Sequence, residues 1–427
     1  MDRIAVTGLY LFALGAFAAP AAANVGLVLT ALAALGRPRG ALAMLRRHPL
    51  WLPLLVLVAY LTLHSVAFAL TRGLSAGDVE VLQDLAKLAL VLPVGLAVAG
   101  QPSRARRALL LAATGLLLCM ALNTHWAELA QALSDGVTRL GFGLPMIAFG
   151  LYAATALLGL LLLTPAFIEA LPAAGQRRAA LVAMTAAAAL LGMGLLLCRS
   201  RGAWLAFALV MPVCVGLMLH RRRVPRPAFA TLSVLLIGGL LLGGESVARR
   251  LGDDSAAYQA LADMAQAADV GPARGTFDAL PQDSVGLRLQ LFGLGFERWR
   301  ERPLTGHGPN AGDGVIAGAS DPVLQSMAHL HNTYLELLMR FGALGLAAFA
   351  AVVGGLAAGL RREIRSGAVP AELGLFLAGA LALTLIWSAF DFRLLTQDFR
   401  FYAVLLGGIA LGLGQPQPRR GRAACAS

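Results

Sequence analysis

The sequence predicts an all-α integral membrane protein with about twelve transmembrane helices and one large outer loop. Three observations carry that reading. Of 427 residues, 58% are hydrophobic and only 14% charged, with a mean hydropathy of +0.72; soluble chains average about 45–50% apolar and about 25% charged. Apolar runs of about 20 residues, the length that crosses roughly 30 Å of hydrocarbon, recur along the chain. Basic residues alternate between crowded and sparse connections. This composition excludes a soluble multidomain enzyme and a disordered chain, which needs low hydrophobicity. Four cysteines exclude a disulfide-rich scaffold.

In order, the candidate spans are about 4–20, 21–36, 49–70, 81–100, 108–124, 145–166, 179–198, 202–219, 228–244, 332–360, 371–390 and 398–414. The first two are short and share Pro20, so they read as a hairpin or as tilted half-helices. Nine helices thus fill residues 1–244, a large loop covers 245–331, three helices follow over 332–414, and a tail ends the chain at 415–427. Arg3, the apolar run behind it and the small residues Ala18–Ala23 also resemble a signal peptide, whose cleavage would leave the remaining topology unchanged.

The net charge of +12 is a topology signal before it is a nucleic-acid signal, and no nucleic-acid partner is read from it. Assigning alternate connections to one side gathers Arg3, Arg37, Arg39, Arg46, Arg47, Arg104, Arg106, Arg107, Arg177, Arg178, Arg221, Arg222, Arg223, Arg226, Arg361, Arg362, Arg365, Arg419, Arg420 and Arg422. The short connections opposite hold only Arg72, Arg139, Arg199, Arg201, Arg393 and Arg400. The positive-inside rule then places both termini in the cytoplasm and the 245–331 loop outside. Of the 35 basic residues only Lys87 is a lysine, which reads as coding bias. The first half of the loop is acidic, with Asp253, Asp254, Asp263, Asp269 and Asp278. In its second half Leu287, Leu291, Leu294 and Trp299 mix with Arg288, Arg298, Arg300 and Arg302, the pattern of an amphipathic helix on the membrane surface. The paired halves of a transporter are not visible as an internal repeat.

Candidate site residues collect on the outer side. Cys119, Cys198, Cys214 and Cys425 read as packing or tail residues, since no pair lies in the outer loop. His48, His64, His125 and His220 are scattered singly and read as structural. His307, His329 and His331 all fall late in the outer loop. With Asp313 they make a zinc site conceivable, but no fourth ligand has suitable spacing, and the reading is of no metal. The turn Cys198-Arg199-Ser200-Arg201-Gly202 sets two arginines between apolar helices on the arginine-poor side. Arginine there marks either snorkelling to lipid phosphates or an anion site at the head of the next helix, and the anion site is preferred. Arg340 lies about eight residues into its span, facing outward or into a cavity. Asp391, Arg393, Asp398 and Arg400 in the last outer loop read as mutual ion pairs or as site residues.

The segment His331-Asn332-Thr333-Tyr334-Leu335-Glu336-Leu337-Leu338-Met339-Arg340-Phe341-Gly342-Ala343-Leu344-Gly345 places a His-Asn pair ahead of Gly-x-x-Gly after a long outer loop. Ser200-Arg201-Gly202 precedes it, as does the run from Arg288 to Pro303-Leu304-Thr305-Gly306-His307-Gly308. Together these resemble the signatures of the bacterial O-antigen ligase family, within the O-antigen ligase and polymerase superfamily. Asn310 departs from the glycine that often continues the pattern.

The resemblance implies a GT-C-like membrane glycosyltransferase without cofactor. It would transfer a preassembled glycan from undecaprenyl diphosphate to lipid A–core at the periplasmic face of the bacterial inner membrane, completing lipopolysaccharide. Donor, acceptor and membrane lipids are then its partners. The residue chemistry is compatible. A histidine with its ordinary pKa of about 6.5 suits a base near neutral pH, and guanidinium groups bind phosphate bidentately in place of a metal. On this reading His331 activates the acceptor hydroxyl, and Arg201 and Arg288 hold the donor diphosphate, with Arg199 and Arg340 as further candidates. His329, Asn332, His307 and Asp391 contact the acceptor or support His331. An O-antigen polymerase and a pilin-type protein oligosaccharyltransferase share this logic; a twelve-helix transporter is the rival from another class.

Overall fold

The computed structural model describes residues 1–220 and 283–414, with Gly252, Gln259 and Leu280. The expected span at 228–244, the acidic half of the large loop, the arginines at 221–226 and 419–422, and Cys425 lie outside the described residues.

Among the described residues the structure is helical throughout. The first part comprises α1 (Asp2–Ala18), α2 (Pro20–Leu35), α3 (Pro38–Arg47), α4 (Trp51–Arg72), α5 (Ala76–Val98), α6 (Pro102–Leu122), α7 (Trp126–Asp135), α8 (Met146–Glu169), α9 (Ala174–Leu197) and α10 (Arg201–His220). After the undescribed segment come α11 (Ser284–Glu301), α12 (Ala311–Ala317), α13 (Pro322–Gln325), α14 (Thr333–Arg365), α15 (Ala371–Trp387) and α16 (Gln397–Leu413). Seven of these, α4, α5, α6, α8, α9, α10 and α14, are long and apolar enough to cross a membrane. The protein is therefore a multi-pass membrane protein. α2 and α3 pass the same test only as a pair bent by 94°. α15 is apolar but only 17 residues long, about 25 Å at 1.5 Å per residue and short of the full hydrocarbon thickness. Helices lie in the expected regions among the described residues, with ends displaced by up to six residues, as where α6 starts at Pro102 and the expected span at 108. The hairpin at Pro20 is present as α1 and α2, broken at Ala19.

The ends of the helices sort into two groups. Arg104 pairs with Asp2 at 2.6 Å, Arg106 pairs with Glu372, and the Gly100 amide donates to Gly412 at 2.8 Å, all at the arginine-rich end. At the other end the Leu140 amide donates to Leu197 at 3.0 Å and the Thr333 amide to Ser388 at 2.8 Å. Two features there differ from the sequence reading. α7 is a short helix in a connection read only as a loop. α11 does form where an amphipathic helix is expected, but protein covers its apolar side: Leu291 is fully buried with Ile316, Leu324, Leu330, Leu335 and Met339. α12, α13 and the top of α14 supply that cover, while Phe296 on α11 stays exposed.

α14 is not one continuous helix. At Gly342 the backbone takes φ 66° and ψ −174°, which breaks the ladder inside a span. A left-handed φ of this kind suits glycine alone among common residues. The break frees backbone carbonyls above it and amides below it, and in a membrane each must find a partner. The loop Pro303–Pro309 supplies most of them. The amides of His307 and Gly308 donate to the carbonyls of Met339 (2.9 Å) and Arg340 (3.0 Å). The carbonyls of Pro303 and Leu304 accept from Ala343 (2.8 Å) and Leu344 (3.2 Å). The Tyr60 hydroxyl of α4 donates to the Phe341 carbonyl at 2.5 Å, and His64 bonds the Thr305 carbonyl at 2.8 Å. Pro303-Leu304-Thr305-Gly306-His307-Gly308 is thus the plug of a broken helix. Tyr60→Phe leaves the Phe341 carbonyl without that donor. It is expected to destabilise the fold by about 1–3 kcal/mol, read as a lower midpoint in detergent thermal melts; an unchanged midpoint would show that the bond is dispensable.

Candidate active site

His331 stands two residues before α14 with φ +53°, and Asn332 caps that helix by accepting the amides of Tyr334 and Leu335 at 3.0 Å each. Asn332 at the cap fixes where the helix starts, and so where His331 projects. The His331 ring Nδ1 lies 3.1 Å from Oδ1 of Asp391, a side chain with no exposure. His329 Nε2 lies 3.4 Å from the same oxygen, and His329 Nδ1 accepts the His331 backbone amide at 3.2 Å. Arg393 Nε donates to the other Asp391 oxygen at 3.0 Å. The aspartate backbone is tied in turn by Thr333 Oγ1, which donates to its carbonyl at 2.8 Å.

Where the His331 ring donates Nδ1–H to Asp391, its Nε2 faces away from the carboxylate, the arrangement of an oriented general base. Burial pushes His329 down to about 4, so it is neutral near pH 7. Burial alone would raise the Asp391 carboxyl, but the hydrogen bond with His331 and the Arg393 charge outweigh it and hold the group below its usual range. The ligand atoms of His329, His331 and Asp391 lie within 4.8 Å of one another, close enough to hold a metal ion. The zinc grouping considered from sequence is not assembled. His307 is turned onto the Arg298 carbonyl at 2.6 Å inside the helix plug, and Asp313 accepts from Asn310 at 3.0 Å.

Beside the histidines is a basic pocket. Arg139, Arg199, Ser200, Arg201, Gly202, Ser284, Arg288, Ile147 and Phe390 line it. Arg199 and Arg201 flank the α9–α10 turn, and Arg201 opens α10. Arg288 comes from α11, whose start is capped by Asp283 accepting the amides of Val285 and Gly286. Arg199 is 4% exposed, has φ +49° and donates to the Ala132 carbonyl at 2.9 Å. Arg139 donates to the Cys198 carbonyl at 3.2 Å. A Cβ on Gly202 would meet the Phe390 side chain at 2.7 Å, so glycine lets the Phe390–Asp391 turn press against the head of α10. That contact joins the pocket to the histidine cluster. Arg199 and His331 are two of the four non-glycine residues with positive φ among the described residues, and such strain gathers at functional sites.

Arg340 is used differently. It pairs with Glu336 at 2.7 Å, donates to the Pro309 carbonyl at 2.5 Å and lies 5.3 Å over the Phe392 ring, with both charged side chains buried. Of the last-loop charges, only Arg393 and Asp391 pair with each other. Arg400 pairs with Asp84 at 2.7 Å, and Asp398 accepts from Tyr152 at 2.9 Å. Arg139 enters the pocket without being singled out from sequence, although it belongs to the same small set of arginines on the arginine-poor side. Arg393 as the partner of Asp391 was legible in their spacing of two.

Residues 186–350, less than half of the chain, match the family model described as O-antigen ligase. This segment belongs to the O-antigen ligase family. It contains Arg199, Arg201, Arg288, His307, His329, His331, Asn332 and Arg340, while Arg139, Asp391 and Arg393 lie outside it. No curated protein gives a significant match to the chain.

Acid should weaken the His329–Asp391 arrangement in two stages. The unfolded chain binds a proton at His329 near pH 6.5 and the folded one only near 4, so stability is lost as pH falls between these values. Asp391, lowered in the fold, adds a further loss below the ordinary carboxylate range. Melting midpoints in detergent should fall from pH 6.5 toward 4, and His329→Gln should flatten that fall; an equally steep fall in the variant would exclude His329 as its source.

Proposed function

We propose that the protein is an O-antigen ligase, transferring a preassembled glycan from undecaprenyl diphosphate to lipid A–core. The observation that carries this reading is one shared turn, Phe390–Asp391. It orients His331 on one side and lines the four-arginine pocket on the other. Glycosyl transfer from a lipid diphosphate needs both parts: a base for the acceptor hydroxyl and positive charge for the departing diphosphate.

In this mechanism His331 Nε2 takes the proton of the acceptor hydroxyl as its oxygen attacks the anomeric carbon. The bond from that carbon to the diphosphate oxygen breaks, and the bonding electrons leave with the diphosphate. Arg201 and Arg288 hold its oxygens, with Arg199 and Arg139 at the pocket wall. Guanidinium groups stay charged and bind phosphate bidentately, so no metal is required. Asp391 stabilises the imidazolium that forms, and His329 and Arg393 hold Asp391. Arg340 supports the site through Glu336 rather than through the donor, and His307 through the plug.

The charge asymmetry supports a topology of twelve spans with both termini in the cytoplasm and the 245–331 loop outside. The family resemblance implies the rest: a GT-C-like glycosyltransferase of the inner membrane with its site at the periplasmic face. Purified protein with lipid-linked glycan and lipid A–core, in chelator, should give a glycan ladder on gel mobility. His331→Ala should lower its rate by about 10²–10⁴-fold. Arg201→Lys should raise the donor KM about tenfold, because the charge remains but the fork is lost. Full transfer by His331→Ala would remove the base assignment. Lengthening of the lipid-linked glycan without transfer to core would make the protein a polymerase, and transfer only to an added pilin-like acceptor a protein oligosaccharyltransferase.

A further inference from the structure

α7 is ten residues long, yet it carries three distinct faces. Leu129 and Ala132 turn inward, and Ala132 is 1% exposed. Trp126, Ala130 and Leu133 recur at helical spacing on a second face, where Trp126 and Leu133 are 78% and 60% exposed; Val137, just past the Gly136 cap, is 69% exposed. Glu128, Gln131 and Ser134 form a third, exposed and polar. An apolar stripe this open has no place in water. α7 is joined to two membrane-spanning helices, α6 and α8, and Leu122 at the end of α6 is itself 76% exposed. The stripe therefore lies at the level where spans leave the bilayer, the depth that tryptophan prefers. One face on protein, one on acyl chains and one in water is the pattern of an interfacial helix.

The same helix is bonded to the arginine pocket. The Ala132 carbonyl accepts Arg199, and the segment that follows α7 carries Arg139, which donates to Cys198. Leu140 then bonds the Leu197 carbonyl at 3.0 Å. We propose that α7 is a membrane-surface helix seated in the phospholipid leaflet on the site side, and that its seating positions Arg199 and Arg139 at the anion pocket. The lipid surface thereby helps to set the pocket that receives a lipid-borne anion. Arg199 and Arg139 act here as held groups, and α7 as the element that positions them.

The test uses the full chain in bilayer nanodiscs. Subtracting the emission of Trp126→Phe from that of the unmutated protein isolates Trp126 among the five tryptophans. The difference signal should be quenched by phospholipids brominated on the acyl chain and not by aqueous iodide. Quenching by iodide would overturn the proposal. Protection from both quenchers would do so too, since another protein surface would then cover the stripe. A second arm rests on the donor reading proposed above. Leu133→Glu and Val137→Glu should raise the donor KM about tenfold, the lower range of losing a charge-assisted contact, with a smaller change in kcat, while Glu128→Gln on the water face should leave both unchanged. The quenching arm needs no turnover, so its failure is distinct from a failure of the ligase assignment. Intact quenching with an unmoved KM would sever the link to Arg199.

Discussion

A membrane-spanning helix that interrupts its own hydrogen-bond ladder must be completed from elsewhere, and the rest of this structure is arranged around that constraint. Gly342 makes the interruption, and Pro303–Pro309, Tyr60 and His64 complete it. Because the plug joins the outer segment to the break, α11 to α13 are fixed against the top of α14. α11 carries Arg288, and the top of α14 is preceded by His331. The backbone hydrogen bonds of the plug thereby help to hold Arg288 and His331, the proposed donor ligand and proposed base, relative to each other, as a site held to catalytic tolerance requires.

Two kinds of packing meet at this junction. Within the bilayer, lipid is as apolar as leucine, so helix association rests on close van der Waals contact and on polar pairs such as Tyr152 with Asp398. In the outer segment the cluster of Leu291, Leu330 and Met339 is removed from water, where each fully buried large apolar side chain contributes about 1.5–3 kcal/mol. Two of the buried charged clusters between these regions are ion-paired. Arg340 has Glu336, and Asp391 has Arg393 and two imidazoles. Such pairs are weak stabilisers in themselves, but removing one member strands the other in low dielectric at a cost of about 3–5 kcal/mol. They define the geometry by making its alternatives expensive.

Much of this was legible in the sequence because bilayer thickness acts on composition directly. Apolar length located the seven helices long and apolar enough to cross a membrane, and the departure of Arg199 and Arg201 from the charge asymmetry pointed to the pocket. What was not legible depends on contacts between distant residues. His331 and Asp391 are 60 positions apart; the resemblance suggested Asp391 as a supporting residue, but neither pattern nor charge supplies the direct contact. α7 escaped notice because its ten residues are too short for a hydropathy window and its stripe emerges only once helical spacing is imposed. The plug was read as a motif without a task, since Gly-x-x-Gly and Pro-Leu-x-Gly-x-Gly each look unremarkable until the break in α14 shows them to be complementary. Arg340 was visible, but Glu336 four residues earlier, on the same helix face, gives it a partner that reading the arginine alone overlooks.

The broken helix also bears on how this span is built. The lower part of α14, from residue 343 to 365, is about 34 Å long at 1.5 Å per residue and can span by itself. The upper part carries Glu336 and Arg340, which enter hydrocarbon only as a formed pair. The plug precedes both parts in the chain and bonds to each side of Gly342. The helix thus consists of one part long enough to span alone and one part that is joined to it through a separate segment.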